Sequence, residues 1–133
     1  MKAVDTNILA RFFIDDPDDA ESARQRPLAV GVMEKPVFVP VTVLLEFEWV
    51  MRGFYRLERA DILRIMQTLG GFSHVVLEDR ALVQQALDHY AAGLDFADAL
   101  HLTRSGHCQA LVTFDVRFAK KAKGLGVVVE IPG

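Results

Sequence analysis

Five short, continuously apolar runs, set apart by helix-like segments, narrow the fold of this chain more than any other feature. They are Ala3-Val4, Val37-Phe38-Val39, His74-Val75-Val76-Leu77, Ala110-Leu111-Val112-Thr113 and Val127-Val128-Val129. Each is too short for a helix and lacks the polar alternation of a one-sided sheet. Such runs suit strands of a parallel sheet covered on both faces, and parallel strands need long, usually helical, crossovers. The intervening segments supply them. Thr6 or Asn7 can cap a helix through Ile8 and Phe13. Pro17 stands where the first residue of a second helix belongs, running to about Met33 with a kink or break expected at Pro27. Thr42 can cap a third to about Arg56, and a fourth from about Arg59 to Leu69 stops at Gly70-Gly71. Leu82, Val83, Ala86, Leu87 and Tyr90 keep core spacing in a helix from Arg80 to Ala92. Asp95 opens a short helix through Leu102, and a basic helix with Arg117, Lys120, Lys121 and Lys123 precedes Gly124. The alternation predicts an α/β fold. With 133 residues, no repeat and no linker, one domain over 1–133 is expected.

Composition excludes several classes. At 51% hydrophobic and 25% charged, the chain can fill a core and is not a disordered segment. Its apolar runs fall well short of the roughly 20 residues of a membrane span, so no membrane partner is expected. The single Cys108 cannot form an internal disulfide, which suits a cytoplasmic location. A net charge of −3 does not mark a general polyanion binder, although local basic patches remain compatible with it.

The acids that set this sign are not scattered at random. Asp5 and Asp115 each follow an apolar strand, and Asp98 lies in the first turn of a helix. Glu46 is expected in the first turn of another, among Leu44, Leu45, Phe47, Trp49 and Val50, where a free carboxylate is unwelcome. In open parallel sheets, sites form beyond the carboxyl ends of strands where strand order reverses. Carboxylates gathered there stay ionised together only if a cation compensates them. Mg²⁺ or Mn²⁺ suits an all-oxygen set and can acidify a water for attack on a phosphodiester. Asp5, Glu46, Asp98 and Asp115 are therefore the candidate metal-binding and catalytic residues. Asn7 and Thr113 are candidate supporting groups for Asp5 and Asp115, with a plain cap and a strand-end hydroxyl as the ordinary reading. Asp95, three residues before Asp98, reads as a helix cap or as a supporting acid. His101 could reach the same place but is more simply a surface histidine. The acidic run around Pro17 lacks the glycine and distal glutamate of a calcium loop and reads as a solvated turn.

Four segments together resemble the PIN-domain family, in particular the small VapC-type ribonuclease toxins. They are Val4-Asp5-Thr6-Asn7-Ile8-Leu9, Pro40-Val41-Thr42-Val43-Leu44-Leu45-Glu46, Leu94-Asp95-Phe96-Ala97-Asp98-Ala99-Leu100-His101 and Leu111-Val112-Thr113-Phe114-Asp115-Val116-Arg117-Phe118. The resemblance runs the whole length and puts the family's metal-binding acids at Asp5, Glu46, Asp98 and Asp115. It implies a three-layer α/β/α fold with a short parallel sheet of order 3-2-1-4-5. It also implies endoribonuclease activity dependent on Mg²⁺ or Mn²⁺, usually a homodimer, and a cognate antitoxin lying over the site.

Other readings stay open at this level. A housekeeping RNA-processing nuclease would share the same acids, and a PIN-like scaffold could bind RNA or protein without cutting. An aspartyl-phosphate phosphatase would use Asp5 as nucleophile, but such enzymes usually carry a second Asp where this chain has Asn7. The third helix is apolar nearly all round, from Val43 to Tyr55, which points to an interface with a second copy or an antitoxin helix.

Overall fold

The computed structural model describes residues 1–133. It is an α/β structure whose chain divides into two compact units, Met1–Arg80 and Ala81–Gly133.

The first unit runs β1 (Lys2–Ala3), α1 (Thr6–Phe13), α2 (Ala20–Met33), β2 (Val37–Val39), α3 (Val41–Gly53), α4 (Arg59–Gly71) and β3 (Val75–Leu77). Its three strands are parallel in the order β1-β2-β3, with Lys2 opposite Val37 and Val37 opposite Val75. That is the 3-2-1 part of the expected order. The central strand β2 buries Val37 and Val39 and half-buries Phe38, as two-sided covering requires. At the ladder's end, β3 leaves Val76 exposed, so covering on both faces does not extend to this strand. Leu9, Phe47, Met51, Ile62 and Leu69 are fully buried and bring α1, α3 and α4 into this unit's core.

Several boundaries differ from the sequence expectation, α4 running on through Gly70 and Gly71 and α3 ending at Gly53. Helix α2 begins at Ala20 with Asp19 as its N-cap, because the Asp19 carboxylate accepts from both the amide and the hydroxyl of Ser22. Pro17 stays in the preceding turn. The helix also runs through Pro27 without a break. Pro27 and Ala23, whose carbonyl loses its helical donor, are both exposed, so water can serve the freed oxygen. At α3 the N-cap is Pro40, whose side chain cannot cap. Glu78, just beyond β3, accepts from Val41 N at 2.7 Å and takes over that role.

The second unit runs α5 (Arg80–Ala91), α6 (Phe96–Arg104), β4 (Leu111–Val112), α7 (Val116–Gly124) and β5 (Val129–Glu130). Strands β4 and β5 pair in parallel, Leu111 opposite Val129, which is the 4-5 part of the expected order. The last strand starts later than Val127 because Val127 N still donates to Ala122 O, and Gly126 turns the chain at φ 76°. Val83, Ala86, Leu87 and Tyr90 form the buried stripe of α5, and the Tyr90 ring meets Phe96 edge-on at 5.5 Å.

Candidate functional site

In the first unit, the chain leaves β1 and turns straight into α1 at Asp5. Asp5 is itself the N-cap: its Oδ1 accepts from Ile8 N at 3.2 Å, the role the sequence had offered to Thr6 or Asn7. One carboxylate oxygen is thus spent on the helix, which fixes the rotamer and leaves the other free to bind. Asp5 and Asn7 line a groove of about 620 Å³ together with Lys2, Ile8, Arg11 and Gln25. Arg11 is held in place by Gln25 Oε1 at 2.9 Å and by the Tyr55 hydroxyl at 3.2 Å.

Thr6 has a different task. It is buried on the same face of α1 as Leu9 and Ala10, and its hydroxyl donates to Glu46 Oε1. The spacing Thr6, Leu9, Ala10 is an i, i+3, i+4 pattern, so the burial of Thr6 was available from periodicity. Glu46 lies in the second turn of α3, later than a first-turn position, because the helix already starts at Val41. It is also exposed, although its apolar neighbours in sequence suggested an unwelcome buried charge. The buried acid of this helix is Glu48, 2% exposed, which joins Leu44, Phe47 and Met51 on the inward stripe. Arg52, one turn on, donates to it at 2.9 and 3.3 Å.

In the second unit, Asp95 and Asp115 are N-caps of α6 and α7. Asp95 Oδ2 accepts from Asp98 N at 3.3 Å, and Asp115 Oδ1 accepts from Phe118 N at 3.0 Å. Thr113 acts on the backbone of Asp115, its Oγ1 accepting from Asp115 N at 3.0 Å. Lys121 Nζ donates to Gly93 O at 3.2 Å and ties α7 to the turn before α6.

Asp98 feels the result. Partial burial pushes its pKa above the ordinary carboxylate value, and the negative charges of Asp95 and Asp115 push it further. His101, exposed at the helix surface, opposes the rise. An acid held toward its neutral form by partial burial and by neighbouring acids is a place where a cation would be welcome.

The fit to a divalent cation is one of charge. No group of three or more His, Cys, Asp or Glu side chains is drawn close enough to form a ready cage. Coulomb coupling reaches farther than a coordination bond, so the coupling of Asp98 to Asp95 and Asp115 and the absence of a cage agree. Mg²⁺ in particular keeps several waters and needs only one or two carboxylates. The oxygen donors present suit such a hard ion, and the lone Cys108 and separate histidines do not form a soft-metal set.

A family model for the PIN domain matches residues 2–124. The chain belongs to the PIN-domain family. A VapC ribonuclease of Aquifex aeolicus (strain VF5) is 24% identical over 124 residues, covering 90% of this chain and 91% of that relative. No solved structure gives a significant match. The match crosses both compact units and includes every segment that carries the candidate acids of this PIN-domain chain. No helix in it is long and apolar enough to cross a membrane.

Proposed function

We propose that this PIN-domain protein is a Mg²⁺- or Mn²⁺-dependent endoribonuclease of the VapC type, acting as a single nuclease domain. The observation that carries the reading is the acid grouping around Asp98, whose carboxyl is raised toward its neutral form first by partial burial and then by the charges of Asp95 and Asp115, in a chain of this family. Asp5, Glu46, Asp98 and Asp115 are the residues proposed to hold the metal. When bound, a divalent cation supplies Lewis acidity toward the phosphodiester and lowers the pKa of water. Asp5 and Asp115 present one carboxylate oxygen each while the other holds a helix end. Glu46, steadied by Thr6, is suited to accept the proton of the attacking water. With water as the nucleophile and the 3′-oxygen as the leaving group, cleavage leaves a 5′-phosphate and a 3′-hydroxyl. Asn7, Asp95 and Thr113 are proposed to support this set by holding the turns that present it.

Three partner assignments belong to the same reading. The relative's name, a VapC ribonuclease, supports RNA as substrate, and a toxin role in which a cognate antitoxin inhibits the protein is proposed with it. Trp49 and Phe54 are strongly exposed at the outer side and C-terminal end of α3, which supports an interface there in a homodimer. The unpaired, exposed Cys108 is in keeping with a reducing cytoplasm.

The test is cleavage of RNA by the purified protein with Mg²⁺ or Mn²⁺, with end-group analysis of the products. EDTA, Asp5→Asn and Asp98→Asn should each abolish it while circular dichroism stays unchanged. Full activity in both variants sinks the site. Co-production with a small protein encoded beside this gene should block cleavage, and a neighbour that leaves it untouched removes the toxin–antitoxin part.

A further inference from the structure

Phe114 is 82% exposed, more than any other large hydrophobic side chain of the molecule. Its backbone is nonetheless pinned on both sides. Thr113 N donates to Glu130 O at 2.9 Å, and the Thr113 hydroxyl accepts from Asp115 N. Just beyond, the Asp115 carboxylate caps α7. A phenyl ring held out in water on a fixed turn contributes nothing to the core, and apolar exposure of this kind marks a contact surface.

The charges beside it indicate what the contact is. Helix α7 carries Arg117, Lys120, Lys121 and Lys123, all exposed, and no acid, in a chain whose net charge is −3. Lys121 is engaged with the Gly93 carbonyl. A flat aromatic face next to unopposed cations is the combination that grips single-stranded nucleic acid: the ring takes a base and the cations take phosphates. Val112 and Val116 are also exposed, as a protein contact would want. An apolar protein contact, however, does not call for four cations on one nine-residue helix.

We propose that Phe114 stacks on a base of the single-stranded RNA substrate while Arg117 and Lys120 meet its backbone. The phosphodiester beside the stacked base is thereby brought to Asp115. This rests on the nuclease reading above and makes Phe114 a positioning residue that selects for an unpaired base at the cut.

The experiment compares wild type, Phe114→Leu and Phe114→Trp on a short single-stranded RNA carrying 2-aminopurine at successive positions. Ca²⁺ replaces Mg²⁺ to slow cleavage during binding, and kcat and KM are measured separately with Mg²⁺. Wild type should quench the probe at one position. Phe114→Leu, which keeps an apolar side chain but loses the ring, should abolish that quench and raise Kd and KM about 5- to 100-fold, the span of one base–aromatic stack. Its kcat should change less, and Phe114→Trp should restore quench and KM. If wild type cuts the RNA and Phe114→Leu binds and cuts equally well, the inference is overturned and the nuclease reading stands. If Phe114→Leu alters only self-association or binding of a partner protein, the surface is a protein interface and the inference is overturned. A folded wild type that neither binds nor cuts RNA overturns the reading beneath it as well.

Discussion

The Thr6 hydroxyl donates to the Glu46 carboxylate, tying the first turn of α1 to the second turn of α3. The donor is buried and the acceptor exposed, so the bond anchors a solvent-facing acid to the core of the first unit. Thr6→Val keeps shape and removes the donor. It should cost about 1.5–3 kcal/mol in urea unfolding, the usual range for a hydrogen bond to a charged group. RNA cleavage should fall by about 10-fold, less than in Glu46→Gln, because the acid is loosened and still present. Unchanged cleavage would mean that the position of Glu46 does not matter to the reaction.

Glu46 and Glu48 sit two residues apart with opposite surroundings, and their amides should separate fold from chemistry. Glu48→Gln weakens the pairing of the buried Glu48 carboxylate with the exposed Arg52 and should destabilise by about 1–3 kcal/mol, with the activity per folded molecule intact. Glu46→Gln, which keeps an oxygen to accept from Thr6 but loses the charge, should lower unfolding stability by about 1 kcal/mol or less and remove most cleavage. The reverse pattern would exchange their roles.

The raised pKa of Asp98 carries a pH dependence. The folded protein keeps this proton to higher pH than the unfolded chain does, so the group's contribution to stability is greatest below the ordinary carboxylate value. It declines as pH rises from that value through the raised one. Asp98→Asn removes the decline. Without metal at neutral pH, its Tm should exceed that of wild type. Mg²⁺ should raise the wild-type Tm by mass action and leave that of Asp98→Asn nearly unchanged. An Asp98→Asn protein less stable than wild type without metal would contradict this account.

Asp115 can be tested the same way from the helix side. Asn caps a helix about as well as Asp, whereas Ala does not. Asp115→Asn should keep stability within a few tenths of a kcal/mol, and Asp115→Ala should lose about 1 kcal/mol. Cleavage should vanish in both. Activity surviving in Asp115→Asn would reduce the residue to a cap.

Much of this was readable from the residues. The buried stripe of α5 and the two-sided burial of β2 follow from spacing and composition alone. What escaped was mostly direction around an axis and choice between adjacent caps. Glu46 was judged by its neighbours in sequence, yet on a helix the inward stripe is Leu44, Phe47, Glu48 and Met51, and periodicity excludes Glu46 from it. Thr6 was weighed as a cap and proved to be a buried donor, because Asp5 one residue earlier does the capping. The cap that Glu78 gives α3 joins residues far apart in the chain and left no local signal. The exposure of Phe114 is likewise set by how the turn between β4 and α7 is pinned.

The double duty of Asp5 and Asp115, each ending a strand and holding the first turn of a helix, has an evolutionary side. Aspartate and asparagine codons differ by one base, and either residue can hold the helix. At these two positions a single point mutation can therefore silence the proposed nuclease while leaving a folded protein with its basic helix and exposed aromatic surfaces. Active and silent forms of such a chain are immediate mutational neighbours, and a lineage can cross from cutting to merely binding without passing through an unfolded intermediate.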